Sequence, residues 1–148
     1  METIPNFDDP SVEFVVLADH VEAVHGKLYM MGGGWENIAV HDFESPVTLE
    51  IAVSVLVPWN ATNKPHPISV TVETADGEVL GSVDGNILAG RPPTIEHGAT
   101  QRTMLAMKMP VTLPDAGTYV VVATLNEEVG KRVTFRAIPA HPPAQVGQ

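Results

Sequence analysis

Two histidines and one glutamate lie within six residues of one another, at His20, Glu22 and His25. Imidazole nitrogens and a carboxylate oxygen can all bind Zn²⁺, but a zinc site needs three or four such groups that converge on one point. In an extended strand His20 and Glu22 share one face and His25 lies on the other, so only a turn would bring the three together. We therefore expect a solvated polar connection between strands here, with no metal ligands and no cofactor.

Other patterns that support catalysis are incomplete. The glycines at 32–34 suggest a phosphate-binding loop, but neither P-loop spacing nor a helical pattern follows them, and glycines in a strand more often mark a bulge. Ser82 lies on a predicted strand and not on the strained strand-to-helix turn of a hydrolase nucleophile. We expect no catalytic residues and no enzymatic activity. An enzyme with a site at one end of the fold is the least favoured alternative.

Three residues are candidates for binding a protein partner. Trp59 lies in the proline-rich segment 58–67, where an exposed tryptophan would be a natural anchor, although it could also cap the end of the core. Arg91 opens the run Arg-Pro-Pro in the longest irregular segment, and long loops in compact domains are often functional. Trp35 follows the three glycines and opens a predicted strand, which favours a place in the core.

Most methionines lie on predicted strands, at Met30, Met31, Met104, Met107 and Met109. Flexible thioether side chains fill irregular gaps, so we expect them in the core. Strand pairing would also allow them to form an adaptable apolar surface. That arrangement is the basis of an alternative function, a small-ligand carrier, beside a metal-binding carrier that would use the histidines.

Hydrophobic alternation predicts an all-β fold. In residues 47–57 the odd positions are apolar and most even positions are polar, which indicates a long strand with one buried face. Residues 12–18 are apolar on both faces and predict a central strand, while Pro110 predicts an edge position or a bulge for its own strand. The predicted strands cover residues 12–18, 27–31, 35–40, 47–57, 68–73, 78–83, 102–113, 118–125 and 131–138.

A turn and a tyrosine indicate which kind of all-β fold this is. Residues 115–119, Asp-Ala-Gly-Thr-Tyr, lead into an apolar strand, as at the tyrosine corner of immunoglobulin-like sandwiches, where the phenol hydroxyl binds nearby backbone. We therefore predict one antiparallel, immunoglobulin-like β-sandwich of about eight or nine strands. Its expected extent is 12–138, with an acidic arm at 1–11 and a proline-rich tail at 139–148.

Charge and composition narrow the possible partners. The chain of 148 residues has a net charge of −10, and residues 1–50 hold ten acidic residues against Lys27 alone. Such a field repels phosphate backbones, so we expect no nucleic-acid binding. The apolar runs are far shorter than the roughly 20 residues that span a bilayer. We expect no membrane insertion and a cytoplasmic location.

These observations favour a non-enzymatic module that acts through its surfaces. The strand edges and the terminal arms predict binding to a protein partner or to itself, as a homo-oligomer, with a structural subunit of a larger assembly as one form of this.

The order of several short motifs resembles an uncharacterised bacterial family, a domain of unknown function common in actinobacteria. These motifs are Gly-Lys-Leu-Tyr-x-x-Gly-Gly-Gly-Trp at 26–35, Gly-Arg-Pro-Pro at 90–93, and Leu113-Pro114 followed by Gly117 and Tyr119. The resemblance covers most of residues 12–138 and implies a single cytoplasmic all-β domain. It implies no activity and no site residues.

Overall fold

The computed structural model describes residues 8–140, in which ten β-strands and one short 3-10 turn, Trp59–Ala61, are the regular elements. The strands are β1 (Ser11–Ala18), β2 (His20–Val24), β3 (Lys27–Met31), β4 (Asn37–Val40), β5 (Val47–Val57), β6 (His66–Thr74), β7 (Val79–Ile87), β8 (Gln101–Val111), β9 (Gly117–Leu125) and β10 (Glu128–Pro139). Residues 1–7 of the predicted arm and 141–148 of the predicted tail lie outside the described residues. The described part contains no helix of the length and apolarity that a membrane span requires.

Eight strands form two sheets that share one core, and the other two form a hairpin. The sheets have the orders β1-β5-β8 and β4-β10-β9-β6-β7, and all neighbours are antiparallel except β4 and β10. Buried apolar residues from both sheets form a single cluster, which confirms the predicted all-β sandwich. The chain passes from one sheet to the other between β1 and β4, and the β2–β3 hairpin is inserted at this crossing.

The alternation along β5 predicts its core face correctly. Its odd positions from Leu49 to Val57 are buried. The opposite face is also covered in part, since Ala52 and Ser54 are fully buried. Ser54 donates a hydrogen bond of 2.7 Å to the Glu13 carboxylate, which reaches over from β1. Long-range contacts therefore bury residues that the period-2 pattern assigns to solvent.

The prediction that residues 12–18 form a central strand is wrong, because β1 pairs only with β5 and ends its sheet. Its second face is covered by the chain returning from the hairpin. The backbone N–H of Gly34 donates to the Leu17 carbonyl at 2.7 Å, and an added Cβ at Gly33 would lie 3.5 Å from Val16 Cγ1. β1 is thus apolar on both faces because one face packs on the core and the other is contacted by the chain near Gly33, and not because β1 lies in the centre of its sheet.

The hairpin replaces the solvated connection expected near residues 19–25. β2 pairs antiparallel with β3, and the turn between them is His25–Gly26, with φ angles of 50° and 75°. Two adjacent left-handed residues are what a type I′ hairpin turn requires. Val21 is only 2% exposed, because the hairpin contacts β8 and β5 on the outside of the three-stranded sheet.

The tyrosine corner is present. Tyr119 is buried, and its hydroxyl donates to the Asp115 carbonyl at 2.5 Å and accepts from the Asp115 N–H at 3.2 Å. The ring stacks on Phe135 with a centroid separation of 5.7 Å. The first residues of β9 are therefore fixed to the turn before it, as the sequence predicts.

The edge position predicted from Pro110 and two predicted strand ends can be compared with the structure. Pro110 lies in β8, an edge strand as predicted. β7 continues to Ile87, beyond the predicted end at residue 83. Pro139, expected to begin the unpaired tail, belongs to β10 and lies opposite Val40. The pairing of β10 with β9 ends at Ala137, so Pro139 has a neighbouring strand on one side only, and such a position accommodates a proline.

Candidate interaction surfaces

The structure does not bring His20, Glu22 and His25 together. His20 Nδ1 lies 3.1 Å from Glu50 Oε1, and His20 Nε2 lies 3.7 Å from Glu22 Oε2. His25 lies in the hairpin turn, at the opposite end of β2. Within residues 8–140, no three His, Cys, Asp or Glu side chains are arranged to hold a metal ion. His20 therefore contributes to attaching the hairpin.

Glu50 is the residue of this site that the sequence pattern missed. It lies on β5, and its Oε1 accepts a hydrogen bond of 3.1 Å from the backbone N–H of Val21, 29 residues away in sequence. That N–H, together with Lys108 and His20, lowers the pKa of the Glu50 carboxyl against the opposing effect of burial. A charged side chain of the sandwich thus holds β2 in place. No local period in the sequence connects the two.

One side of the hairpin is open to solvent. We define the hairpin face as the six alternating residues on the side opposite Val21: His20, Glu22, Val24, Lys27, Tyr29 and Met31. Tyr29 is 55% exposed and Met31 is 69% exposed, and Val24 is also exposed. Contiguous exposed apolar groups on a folded domain are a mark of interaction sites.

The expectation that the methionines fill the core holds only for some of them. Met109 is buried and Met107 is half-buried against the core, but Met30 and Met31 are exposed on β3. The signal that could have indicated this is the unbroken run Tyr29-Met30-Met31. A strand with large residues at consecutive positions places some of them on each face.

The hairpin belongs to an acidic segment of the chain. Residues 19–50, which run from the start of the hairpin through β4 into β5, contain six Asp or Glu and only Lys27 as a basic residue. Glu22 lies directly opposite Tyr29 across the hairpin, and its side chain is 60% exposed. The hairpin face therefore combines exposed aromatic and thioether groups with one exposed carboxylate, Glu22, inside an acidic segment of the chain.

Two of the predicted partner-binding residues, Trp59 and Arg91, contact each other at one end of the sandwich. The Arg91 guanidinium carbon lies 3.9 Å from the centroid of the Trp59 ring, and the His97 ring lies 4.6 Å from it, tilted by 42°. We call these three residues the loop-end cluster. They join the loop after β5 to the loop between β7 and β8.

Hydrogen bonds fix the loop-end cluster. Arg91 donates from Nε to Thr62 Oγ1 and from a terminal nitrogen to the Trp59 carbonyl, each at 2.7 Å. Behind it, buried His66 donates from Nε2 to the Ala61 carbonyl at 2.7 Å, since a carbonyl can only accept. The indole of Trp59 is thus half-covered by its own chain. A role of Trp59 and Arg91 in binding a partner stays a prediction.

Trp35, the third predicted residue, packs against the core. Its ring meets Phe135 edge-on, with centroids 5.6 Å apart and an interplanar angle of 79°. The half-buried side chain also lines an open groove of about 290 Å³ with Asp19 and Asn37. The core position is the one that the sequence favours for this residue.

A cavity lies in the seam between β7 and β8, the two strands at which the sheets end on one side. Its volume is about 190 Å³, and its apolar lining comes mainly from Ile68, Val70, Val83, Ile87, Leu105 and Met107. Ligand pockets are usually about 300–1,000 Å³. The size and the single methionine in the lining argue against the small-ligand carrier, which would enclose its ligand among several methionines.

These features define the class of the protein: a β-sandwich with an immunoglobulin-type tyrosine corner and an inserted hairpin with one open face. The chain belongs to a family of unknown function, DUF6941, whose model matches residues 13–138. This agrees with the resemblance to an uncharacterised domain. No curated protein matches the sequence.

Two solved structures resemble all or part of the described fold. A bacterial adhesin from Mobiluncus mulieris with intramolecular disulfide, isopeptide and ester bond cross-links has a TM-score of 0.50 at 13% identity, over 88% of this chain and 58% of the adhesin chain. A glycosyl hydrolase family 2 member from Bacteroides cellulosilyticus matches with a TM-score of 0.39, at 12% identity over 60% of this chain and 12% of that one. The first similarity supports the sandwich fold alone, and the chain spans little more than half of that adhesin.

Proposed function

We propose that this chain is a non-enzymatic module that binds a partner protein through the hairpin face. The observation that carries the proposal is the exposure of Tyr29 and Met31, at 55% and 69%, next to each other on a hairpin that the sandwich holds in place. Tyrosine and methionine are enriched at protein interfaces relative to other surfaces.

The hairpin is well placed for this role because it is anchored on one side only. An isolated two-stranded hairpin is at best marginally stable in water. Burial of Val21 and the bond from its N–H to Glu50 supply the missing support. A partner that binds the open side therefore meets a preformed surface and need not order the strands first.

The exposed Glu22 and the acidic segment around the hairpin in sequence favour a partner that carries basic residues beside an apolar centre. Glu22 is exposed on the hairpin face, and the segment 19–50 has five more acidic residues than basic ones. A second copy of a chain with net charge −10 would be repelled at low salt. Charge complementarity to a basic surface would speed association and make it sensitive to ionic strength.

Photo-crosslinking of the full chain tests the proposal. A photoreactive amino acid replaces Lys27 on the hairpin face or, as a matched control, exposed Thr134 on the outer side of β10. We expect a discrete heterologous adduct from position 27 and none from position 134. The adduct should diminish in the double variant Tyr29→Ser, Met31→Ser, and the purified partner should bind that variant about tenfold more weakly or worse.

Two results would contradict the proposal. Identical adducts from both positions, or none from either, would show that the hairpin face is not a preferred contact. An adduct between two copies of the chain would assign the face to self-association instead. An unchanged denaturation midpoint of the double variant controls for loss of fold.

A further inference from the structure

Among the described strands β7 ends the five-stranded sheet, and the free edge of its regular part, residues 81–87, is the least protected of the four sheet ends. Natural proteins blunt such edges with short strands, bulges, prolines or lysines. β4 has only four residues, β1 is interrupted by a bulge after Val12, and β8 carries Lys108 and Pro110. β7 has nine residues without lysine, arginine or proline. A register shift between Val79 and Gly81 interrupts its pairing with β6, but the pairing is regular over the seven residues from Gly81 to Ile87.

Two glycines of β7 divide the seam beside this edge into a closed part and an open part. An added Cβ at Gly81 would lie 2.7 Å from Val111 Cγ1, so the absence of a side chain there lets β7 approach β8 closely. At Gly85 an added Cβ would meet nothing within 4 Å. Gly85 lines the cavity of about 190 Å³ and lies on the same face of β7 as buried Ile87.

Charge on the outer side of the same edge indicates which side chains the outward positions of a bound strand would carry. Asp84 is exposed and points away from the core, next to Gly85. It lines a second recess, of about 180 Å³, together with Thr124 and Glu127. A strand placed beside β7 would direct alternate side chains into the apolar cavity and the others to the outer side of the sheet, where Asp84 lies.

We propose that the β7 edge binds an extended segment of a partner protein as an added strand, with apolar residues facing the cavity and basic residues facing Asp84. Backbone hydrogen bonds to a free edge give such a strand its affinity, and the alternate pockets give it specificity. This site is separate from the hairpin face, so it adds a second binding mode to the molecule.

Binding of labelled short peptides to the full chain tests this inference. One peptide alternates leucine with lysine, one alternates leucine with glutamate, and one has the first composition with its leucines grouped at one end. We expect the leucine–lysine peptide to bind saturably and the other two to bind about tenfold more weakly or worse. The double variant at Tyr29 and Met31 should bind it as well as the wild type does, which separates this site from the hairpin face.

Two variants make the test specific. Gly85→Val fills the cavity from within and should weaken peptide binding about tenfold while leaving the fold intact. Asp84→Lys should transfer the preference to the leucine–glutamate peptide, whereas Asp76→Lys, the same charge change in the turn before β7, should not. The inference is overturned if no peptide binds saturably, if the grouped peptide binds equally well, or if Asp76→Lys has the same effect as Asp84→Lys. It is also overturned if Gly85→Val leaves binding unchanged.

Discussion

The hairpin face and the loop-end cluster each carry an aromatic ring, but among the described residues only the ring in the loop-end cluster has a cation and another ring as partners. Trp59 in the loop-end cluster lies under Arg91 and beside His97, and Arg91 is bound in turn to the loop backbone. Tyr29 on the hairpin face is 55% exposed and has no ring, ionic or hydrogen-bond partner among the described residues. Where the chain supplies its own cation, an aromatic residue fastens loops. Where it supplies none, the ring is available to another molecule.

The two regions also differ in how they are attached. Arg91 reaches the loop after β5 through hydrogen bonds at the surface. The hairpin is held by one buried side chain, Val21, and by two contacts with Glu50, from the Val21 N–H and from the His20 ring. Disturbing Val21 should therefore matter more than disturbing Arg91, and the expected effects can be ranked.

The largest effect is expected from Val21→Asp. The substitution places a carboxylate at a position that is 2% exposed, next to Glu50. An unpaired buried charge of this kind should lower the free energy of unfolding by about 3 kcal/mol or more. Urea unfolding measures this change, and limited proteolysis between residues 20 and 31 reports detachment of the hairpin.

Ala23→Asp is the matched control for that variant. Ala23 lies on the same strand and the same side of the hairpin but is exposed. Its substitution should change the free energy of unfolding by less than about 0.5 kcal/mol. Equal destabilisation by both substitutions would show that charge, and not burial of Val21, decides the result.

The next largest effect is expected at the base of the hairpin, from Gly32→Ala. Gly32 has a φ of 63°, and an added Cβ would overlap the Asp19 side chain at 2.2 Å from Oδ2. Strain of both kinds should cost about 1–2 kcal/mol. At Gly33 an added Cβ meets only ordinary contacts, so Gly33→Ala should cost clearly less in the same denaturation assay. The reverse order would contradict this account of the glycine run.

The sequence predicts those parts of the fold that depend on local pattern. Alternation identifies the core face of β5, Pro110 marks an edge strand, and Tyr119 forms the expected corner. The prediction for β1 is wrong because residues near Gly33 cover its second face. A strand covered in this way has the same apolar pattern in sequence as a strand in the centre of a sheet. Likewise, Gly32 and Gly33 look alike in the sequence, but they differ in backbone conformation and in what an added Cβ would meet.

The candidate surfaces are less predictable because their contacts join distant residues. Trp59 and Arg91 stand out separately by composition, but they are 32 residues apart and nothing local indicates that they meet. The hairpin face could not be predicted because Glu50, which binds the Val21 N–H and holds the hairpin in place, lies 29 residues away in sequence. Methionines at 30 and 31 look like core residues until the pairing of β2 with β3 shows which side is covered.

A smaller effect is expected from Arg91→Ala in the loop-end cluster. The variant loses two hydrogen bonds and the contact with Trp59, all at an exposed position, which should lower the free energy of unfolding by about 1 kcal/mol. Faster hydrogen exchange in residues 58–65 and 88–100 should accompany it. Arg91→Lys keeps the charge but not the planar fork, so it should recover only part of the loss. Full recovery by lysine would show that charge alone joins the loops.

The smallest effect, and the one that depends most on pH, is expected from the ion pair between Glu13 on β1 and Arg102 on β8. Arg102 donates to Glu13 at 2.8 and 2.9 Å, and Ser54 donates to it as well. These bonds lower the pKa of Glu13 from 4.5 to about 2. Because the folded state holds the carboxylate ionised, the contribution of Glu13 to stability is complete above about pH 4.5 and is lost as the pH falls toward 2.

Glu13→Gln isolates that contribution, since glutamine keeps the shape of the side chain but cannot titrate. Denaturation midpoints of the wild type and the variant, measured from pH 6 down to pH 2, should differ most above pH 4.5 and converge toward pH 2. High salt should reduce the difference, because the Arg102 side chain is 58% exposed and the pair is screened. A difference that stays constant over this range would mean that Glu13 acts through packing over Ser54 and not through its charge. That result would rule out a pH-dependent contribution of the Glu13–Arg102 pair to stability.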